Sequence, residues 1–496
     1  MKLKRYLYLG HRWLGVAMSV LFAMWFISGI VLMYVPYPGL SEEERLAGLP
    51  PLRASAVAVS PRQLLSEAGV TQLSLRAIGD RAAYVVGFSD GRTERYYADT
   101  AEPVAAISAE EAVGFAQAFA RRSGRLAAGD AGVVSVASID YDQWSLSSSL
   151  REHRPLFRVD LGTEDGLQLY VSSQTGQVLR DTTRFERSWN WLGANLHWLY
   201  PAALRRHSEL WAQLVIALSL LGLLSIASGA VVGIWRLRLR KPYKGRRYSP
   251  YRGVMKWHHV MGLICVLFFA TYMFSGLMSM NPWGIFSSGE PYSRQAQRYY
   301  GGGEIADEVA SLPALQQVLR SGEYRELHWR RLGGEYYLLG SRSPRHTDLL
   351  RPLSWQREPV MAAKIAEAAA QLLPDHGYRV EVLAGHDVYY YSHHQRYRPL
   401  PVMRLRFDDP QATWFHIDPL TGELRGRLNQ RERLRRWLYN GLHSWDFLPL
   451  LNRRPLWDVL VIAMMILGAG FSITAIIIAA KRLQARPSRR RAYPRK

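Results

Sequence analysis

The chain has 496 residues, of which 48% are hydrophobic and 12% aromatic, and its formal net charge is +22. Of its 63 Lys and Arg residues, 21 lie in three short segments without acidic residues: 1–12, 236–256 and 481–496. The remaining chain is almost neutral, with 42 basic and 41 acidic residues. A nucleic-acid-binding protein spreads its basic residues over a folded face, so this distribution argues against a nucleic-acid partner.

Four apolar runs are long enough to cross the hydrocarbon core of a bilayer, which takes about 20 residues. They lie near residues 14–35, 210–235, 260–280 and 456–480. The basic segments flank these runs, and the positive-inside rule places such flanks in the cytoplasm. The sequence therefore predicts a four-span membrane protein with both termini cytoplasmic, the first run being an uncleaved anchor.

These runs also predict the domain boundaries. The predicted transmembrane helices are 1–35, 210–235, 257–280 and 456–480. Two long segments, 36–209 and 281–455, are predicted to lie outside the cytoplasm. The basic loop 236–256 and the basic tail 481–496 are predicted to be cytoplasmic.

The start of the first half is repeated in the second half. His11 and His258 each begin an apolar run, and each is followed four residues later by a glycine, Gly15 or Gly262. A Ser-Gly pair stands 17 residues after each histidine, at 28–29 and 275–276. We interpret these small pairs as positions of close helix packing.

The end of each half is repeated as well. His197 and His443 each lie 21 residues after the glycine of a Thr-Gly turn. A Leu-Gly pair follows each of these histidines and ends 25 residues later, at Gly222 or Gly468. The offset between the halves stays at 246–247 residues throughout, which indicates a tandem duplication. Each copy has two spans, so the copies are predicted to be related by a pseudo-two-fold axis along the membrane normal.

Such an axis predicts two histidine pairs. His11 and His258, here called the inner pair, should face each other near the cytoplasmic side. His197 and His443, the outer pair, should do so near the opposite side. Two imidazoles at one depth in a helical bundle are suited to hold a six-coordinate haem iron. The sequence therefore predicts one haem at each histidine pair.

Further residues near the inner pair are predicted to contact its haem. Gly15 and Gly262 share a helix face with their histidines and would leave room for a flat macrocycle. Arg12 and Lys256 are candidates to pair with haem propionates. A lone histidine at a membrane boundary is more often only an interfacial polar residue, but the duplication favours ligation. His259 is the rival of His258, although its counterpart in the first half is Arg12.

The two outer segments repeat an order of helix and strands. Residues 108–122 have a helical pattern, with Ser108 as N-cap and Glu111 at the capping-box position. Alternating residues in 154–179 predict two strands followed by a turn at Thr175-Gly176. The second half repeats this order with a helix over 358–373 and strands after residue 400. The fold class is therefore a membrane protein with a four-helix bundle and two α+β outer domains.

The helix and strand pair that end in a D-x-x-T-G-x-L turn resemble the PepSY domain. The H-R-x-x-G start of the first span and the Leu-His before the next span resemble the PepSY-associated transmembrane helix family. Ser172 stands where this turn pattern has Asp. The resemblance implies a bacterial inner-membrane protein with periplasmic PepSY-like domains and two b-type haems. It further implies a reductase of ferric siderophores, with axial ligands at His11, His258, His197 and His443.

Two functions of different classes remain open. In the first, the protein is a haem-dependent oxidoreductase that conducts electrons across the membrane to a periplasmic ferric chelate. In the second, the outer domains bind or regulate a partner, for example a peptidase, and the spans are only anchors. The cytoplasmic parts are too short for a nicotinamide or flavin domain, so the first function requires a quinol or a partner protein as electron donor.

One further cluster is rich in histidine and tyrosine. It covers "GHDVYYYSHHQRYR" at 385–398, with His376 upstream. His393 and His394 would point to opposite faces of a strand, which disfavours a shared metal. The cluster is therefore interpreted as a solvated strand edge, with a contact surface for an acidic chelate and a metal site as alternatives.

Overall fold

The computed structural model describes residues 2–65, 69–127, 132–245, 247–287, 289–305, 311–351, 356–357, 359–392 and 397–484. The chain divides into two compact units. The helical unit comprises Met1–Tyr37, Ser188–Phe286 and Leu434–Lys496, and the strand unit comprises Pro38–Arg187 and Ser287–Arg433. Helices and antiparallel sheets are thus both present, as the α+β prediction requires.

The described helices are numbered in chain order. They are α1 Lys2–Tyr34, α2 Glu42–Gly48, α3 Ala109–Arg122, α4 Arg184–Asn190, α5 Ala202–Arg205, α6 Ser208–Arg236, α7 Val254–Ile264, α8 Val266–Ser279, α9 Tyr292–Tyr299, α10 Leu312–Leu319, α11 Ala362–Ala370, α12 Gln430–Arg435, α13 Leu442–Ser444, α14 Leu448–Leu451 and α15 Leu456–Gln484. Two π-helical turns, Trp191–Asn195 and Arg436–Gly441, stand between these helices.

The strands are likewise numbered in chain order. They are β1 Val70–Ile78, β2 Arg81–Phe88, β3 Thr93–Tyr97, β4 Ser135–Ile139, β5 Leu156–Asp160, β6 Gln168–Ser172, β7 Val178–Thr182, β8 Glu326–Leu332, β9 Glu335–Ser343, β10 His346–Leu350, β11 Tyr378–Leu383, β12 Val402–Phe407, β13 Trp414–Ile417 and β14 Leu424–Leu428.

Within the described residues, three helices are long and apolar enough to cross a membrane: α1, α6 and α15. A fourth candidate consists of α7 and α8, which are bent by 67° relative to each other. The bend lies at Cys265, where the helical backbone is interrupted. The equivalent region of the first half is continuous in α1, so the second copy departs from the repeat at this point.

The helical unit packs through matching contacts in the two halves. Helix α1 packs against α15 and α6, while α8 packs against α6 and α7 against α15. A Cβ atom on Gly468 would lie 2.6 Å from the ring of Phe26, and one on Gly222 would lie 2.9 Å from Met273. These two contacts are equivalent in the repeat, so both glycines allow the same close approach of helices.

The strand unit contains one sheet built from both halves of the chain. Its strand order is β10-β9-β8-β1-β2-β3, so β1 of the first half pairs with β8 of the second half. Its buried core includes Leu75, Tyr84, Leu327 and Leu338. Residues 53–97 and 323–340 contain strand-like alternation in the sequence, but this alternation does not predict that strands of the two halves pair.

Two four-stranded sheets repeat one another in the strand unit. Their orders are β4-β5-β6-β7 and β11-β12-β13-β14, and each is an antiparallel meander. Helix α3 packs against the first of them, and its predicted capping box of Ser108 and Glu111 is confirmed. Helix α11 is shorter than predicted, and Met361 precedes it without a side-chain cap.

The predicted turns at the end of β6 and β13 have the same construction. Gly176 and Gly422 both have positive φ, +63° and +70°, a conformation that glycine adopts without strain. The Asp418 carboxylate accepts hydrogen bonds from the backbone N–H groups of Leu420 and Thr421. The hydroxyl of Ser172 accepts the equivalent pair from the two residues at 174 and 175. Serine therefore replaces the expected Asp here without loss of the turn.

Candidate functional site

The inner pair lies in the helical unit, where α1 carries His11 and α7 carries His258. Their ring centroids are 6.5 Å apart, and the ring planes are inclined by 34°. Phe471 of α15 stacks on the His258 ring at a centroid distance of 4.6 Å. The structure thus brings together the two histidines that the repeat pairs.

The outer pair lies in the same unit and is positioned differently. His197 and His443 each follow one of the two π-helical turns. Their ring centroids are 6.0 Å apart, with the planes inclined by 68°. A π-helical turn shifts the following side chains relative to an α-helix and is frequent at functional sites. The same kind of turn precedes both histidines, so each half uses it to orient the imidazole of its outer histidine.

Hydrogen bonds determine which ring nitrogen of the outer pair carries the proton. The Nδ1 of His197 is 3.0 Å from the Ser28 hydroxyl, and the Nδ1 of His443 is 3.0 Å from the Ser275 hydroxyl. Each serine donates its own hydrogen to the backbone carbonyl three residues earlier. The serine oxygen is then left to accept, so Nδ1 is the protonated nitrogen of both histidines.

The inner pair follows the same rule. The Nδ1 of His11 is 3.2 Å from the backbone carbonyl oxygen of Ser225, which can only accept a hydrogen bond. The Nδ1 of His258 is 3.1 Å from the hydroxyl of Thr474, and Thr474 donates its hydrogen to the carbonyl of Phe471. The contacts of all four imidazoles thus favour the Nδ1–H tautomer, which leaves Nε2 unprotonated.

The Nε2 atoms are available for another ligand. Within the described part of the chain, the hydrogen bonds of these four rings are made at Nδ1. A metal–imidazole bond is about 2 Å long, so the centroids of two imidazoles on opposite sides of one metal ion lie about 6.3 Å apart. The observed separations of 6.5 and 6.0 Å match this distance. The ring separation of each pair thus leaves room for one metal ion between the two imidazoles.

The electrostatic setting of the outer pair favours ligation. Burial lowers the pKa of His197, and the neighbouring His443 imidazole lowers it further. Burial likewise lowers the pKa of His443. The neutral imidazole is the form that binds a metal, so both rings are ready to act as ligands at neutral pH.

Two other histidines of the helical unit, His259 and His207, differ from these four. His259 is buried, and both of its ring nitrogens are engaged: Nδ1 with the Ser249 hydroxyl at 2.9 Å and Nε2 with the Gly233 carbonyl at 2.8 Å. His207 is exposed at the N-cap of α6. The structure thus gives His258, and not its rival, the available nitrogen.

The other predicted cofactor contacts are placed less uniformly. The space where a Cβ atom of Gly15 would lie is open, whereas that of Gly262 is filled by Phe471, 2.9 Å away. Arg12 and Lys256 are exposed, and the Lys256 ammonium lies 6.0 Å from the centroid of the Trp257 ring. Of these four residues, Gly15 has open space where its side chain would lie.

Sequence reasoning missed the residues that orient the imidazoles. Ser28 and Ser275 were interpreted as packing positions, yet each contacts a histidine of the outer pair. Thr474 was not considered, although its repeat counterpart Ser228 lies 3.4 Å from the Nδ1 of His11. The available signal was the constant offset of the repeat. It places hydroxyl residues at equivalent positions of both halves, Ser28 with Ser275 and Ser228 with Thr474.

The histidine- and tyrosine-rich segment contributes no metal cluster among the residues that the structure describes. No group of three metal-ligating side chains occurs in this part of the chain. His393 and His394 lie outside the described residues. The Nε2 of His386 is 3.0 Å from the carbonyl oxygen of Arg398, and His376 lies 3.6 Å from Asp408. Their described contacts are thus those of a local strand edge.

The apolar helices, the antiparallel sheets and the paired histidines define a class of membrane protein with a helical unit and an α+β strand unit. Residues 8–365 match the PepSY-associated TM region, and the chain belongs to this family. The matched range includes His11, His197 and His258, while His443 lies beyond it. A comparison with curated proteins finds no match.

Proposed function

We propose that this chain is a bacterial inner-membrane electron-transfer protein with two b-type haems, which reduces a ferric chelate such as a siderophore in the periplasm. Both termini are cytoplasmic in this proposal, and α7 with α8 forms one bent span beside α1, α6 and α15. The segments 36–209 and 281–455 are its periplasmic PepSY-like domains. The three basic segments support this orientation, because the positive-inside rule assigns them to the cytoplasm.

The observation that carries the proposal is the state of the four imidazoles. Each places its Nδ1 against an oxygen that can accept its hydrogen, and the two rings of each pair lie 6.5 or 6.0 Å apart, so each pair could hold one haem iron. A plain membrane anchor gains nothing from four oriented histidines. This arrangement therefore favours the redox function over a purely regulatory one.

The residues of the chain have defined tasks in this function. The inner pair holds one haem near the cytoplasmic side, and the outer pair holds the other near the periplasm. A bound haem supplies a one-electron Fe(III)/Fe(II) couple. The hydroxyl and carbonyl acceptors at Nδ1 keep each ring in one tautomer, so no proton has to move when an electron passes. Gly15 leaves space beside the inner pair, with Arg12 and Lys256 at the same boundary for the propionates.

The donor and the substrate follow from the proposed topology. Electrons enter at the inner pair from a membrane quinol or a partner protein. They leave at the outer pair to a ferric chelate, whose oxygen donors bind Fe(II) less tightly than Fe(III). The protein is thus proposed to act as an oxidoreductase in iron uptake.

Haem stoichiometry tests the proposal. We expect two haems b per chain, because the two pairs are separate and each is complete. Pyridine haemochrome quantification against protein mass measures the ratio, and a reduced-minus-oxidised spectrum identifies the b-type. Electron paramagnetic resonance should show six-coordinate low-spin ferric signals. A ratio of zero would favour the alternative, a membrane-anchored binding or regulatory protein.

A further inference from the structure

The Ser-Gly pairs at 28–29 and 275–276 contact the outer pair in the same way. Ser28 and Ser275 are fully buried, with exposed fractions of 1% and 0%. Both lie 3.0 Å from a histidine Nδ1 and donate their hydroxyl hydrogen to the carbonyl three residues earlier. A hydroxyl that donates to a carbonyl becomes a better acceptor, because successive hydrogen bonds polarise one another. Both serines are thus polarised towards an imidazole N–H.

The glycine of each pair lies beside the same imidazole as its serine. A Cβ atom on Gly29 would lie 3.5 Å from Cε1 of His197 and 3.4 Å from the sulfur of Met465. A Cβ atom on Gly276 would lie 3.8 Å from Cε1 of His443. These are ordinary van der Waals separations, so an alanine would fit at both positions. The orientation of the imidazole therefore depends on the serine of each pair.

Other buried serines of the helical unit show that helix packing alone does not require a histidine contact. Ser219 and Ser472 are equally buried, and each donates to the carbonyl four residues earlier at 2.8 Å. The hydrogen bonds of both serines stay within their own helix. A histidine contact is therefore not a general property of the buried serines in these helices.

We propose that Ser28 and Ser275 are positioning residues that hold the outer histidines for iron ligation and lower the reduction potential of the outer haem. This inference rests on the proposed function, because it requires iron at the outer pair. An imidazole that donates Nδ1–H carries more electron density at Nε2, and a more basic ligand stabilises Fe(III) relative to Fe(II). One electron added to the iron is the whole redox change, and the Nδ1–H proton stays in place.

The experiment uses the purified full chain in detergent. The variants are Ser28→Ala, Ser275→Ala and the double variant, with Ser28→Thr as the conservative change. Ser472→Ala and Ser219→Ala are matched controls. Spectroelectrochemical titration measures both midpoint potentials, and haem content and the low-spin resonance signals are recorded for the same samples.

We expect each alanine variant to shift the midpoint potential of the outer haem to a more positive value. The shift should be larger in the double variant and partly reversed by threonine, while the potential of the inner haem and both controls stay at wild-type values. Loss of the outer haem alone in the double variant would also support the role, since outer-shell changes weaken metal binding by about 10–100-fold.

Unchanged potentials in a double variant that keeps two haems would overturn the inference, as would an equal shift in the Ser472→Ala control. Loss of both haems from the double variant would overturn it too, since that result indicates a general packing defect. A wild-type protein without haem refutes the proposed function, whereas these outcomes refute only the role of the two serines.

Discussion

Replacing His197 or His443 with alanine is expected to remove one of the two haems and to leave the other in place. Each outer histidine has one available Nε2, and the two ring centroids lie 6.0 Å apart, so both rings would hold the same haem. Either substitution removes one of the two axial bonds that hold this haem. Haem content should therefore fall from two to one per chain.

The inner pair should behave as a second, independent unit. His11→Ala or His258→Ala should remove the inner haem and spare the outer one. A double variant within either pair should be little worse than a single variant, because both residues act on the same iron. Combining one variant from each pair should remove both haems.

Electron transfer separates the two pairs further. Without the inner haem, the outer haem should still be reduced by added dithionite but not by the physiological donor. Without the outer haem, the inner haem should still be reduced by the donor, while reduction of an external ferric chelate is lost. Absorption spectra of membranes recorded with each reductant measure these outcomes.

His259→Ala and His207→Ala are the matched controls and should keep both haems. Both nitrogens of His259 are already engaged by Ser249 and Gly233, and His207 is exposed. If His259→Ala removes the inner haem and His258→Ala does not, the assignment of the inner pair is wrong. If His11→Ala and His197→Ala remove the same haem, the pairing across the pseudo-two-fold axis is wrong.

The histidine pairing was predictable because a duplication keeps residue offsets constant. The sequence spacings from His11 to Gly15 and from Gly176 to His197 recur unchanged in the second half. Symmetry then brings equivalent residues to opposite sides of one axis. The observed pairs are therefore those that the offset predicts.

The hydrogen-bond partners of the histidines were not predictable in the same way. A Ser-Gly pair in an apolar helix is typical of close helix packing, and composition does not distinguish Ser28 from Ser472. Only the rotation of each helix decides which serine meets an imidazole. The bend at Cys265 is equally silent in the sequence, because the nearby Gly262 has its counterpart, Gly15, in the continuous helix α1.

The shared sheet of the strand unit was also beyond sequence reasoning. Alternation identifies β1 and β8 as strands, but it does not say which strands pair. These strands are separated by more than half of the chain, and their register places Arg76 opposite Glu326. Glu326 also forms an ion pair with Arg45, which is far away in the sequence. No local sequence pattern therefore predicts this pair.

Breaking this ion pair is expected to have a large effect on the stability of the strand unit. Glu326 of β8 has a buried side chain, 5% exposed, and receives two hydrogen bonds from Arg45 of α2 at 2.6 and 2.7 Å. Arg45 also pairs with Glu42 and is 27% exposed. The two partners are therefore unequal, because only Glu326 would be left buried without its partner.

We expect Arg45→Met to lower the free energy of unfolding by about 3–5 kcal/mol, since it removes both short hydrogen bonds from a buried carboxylate, which keeps the 3.6 Å contact with His328. Glu326→Gln should lower it by about 1.5–3 kcal/mol, the value of a hydrogen bond to a charged group, because Arg45 keeps Glu42. The double variant Arg45→Met/Glu326→Leu should be more stable than Arg45→Met alone. Hydrogen exchange of the β1 and β8 amides in the detergent-solubilised full chain measures these differences.

The pH dependence gives the sign of the effect. Burial alone would raise the pKa of Glu326, but hydrogen bonds from Arg45 and His328 and the charge of Arg45 hold this pKa below its ordinary value. The stabilisation is then complete above the ordinary glutamate pKa of about 4.3 and is lost as the pH falls below it. The loss of stability caused by Arg45→Met should accordingly be largest at neutral pH and should shrink on acidification.

The exposed pair Arg81–Asp99, with side chains 43% and 40% exposed, is the control, and Asp99→Asn should change stability by less than about 1 kcal/mol. If Arg45→Met is as stable as Asp99→Asn at neutral pH, the ion pair between Arg45 and Glu326 does not stabilise the strand unit.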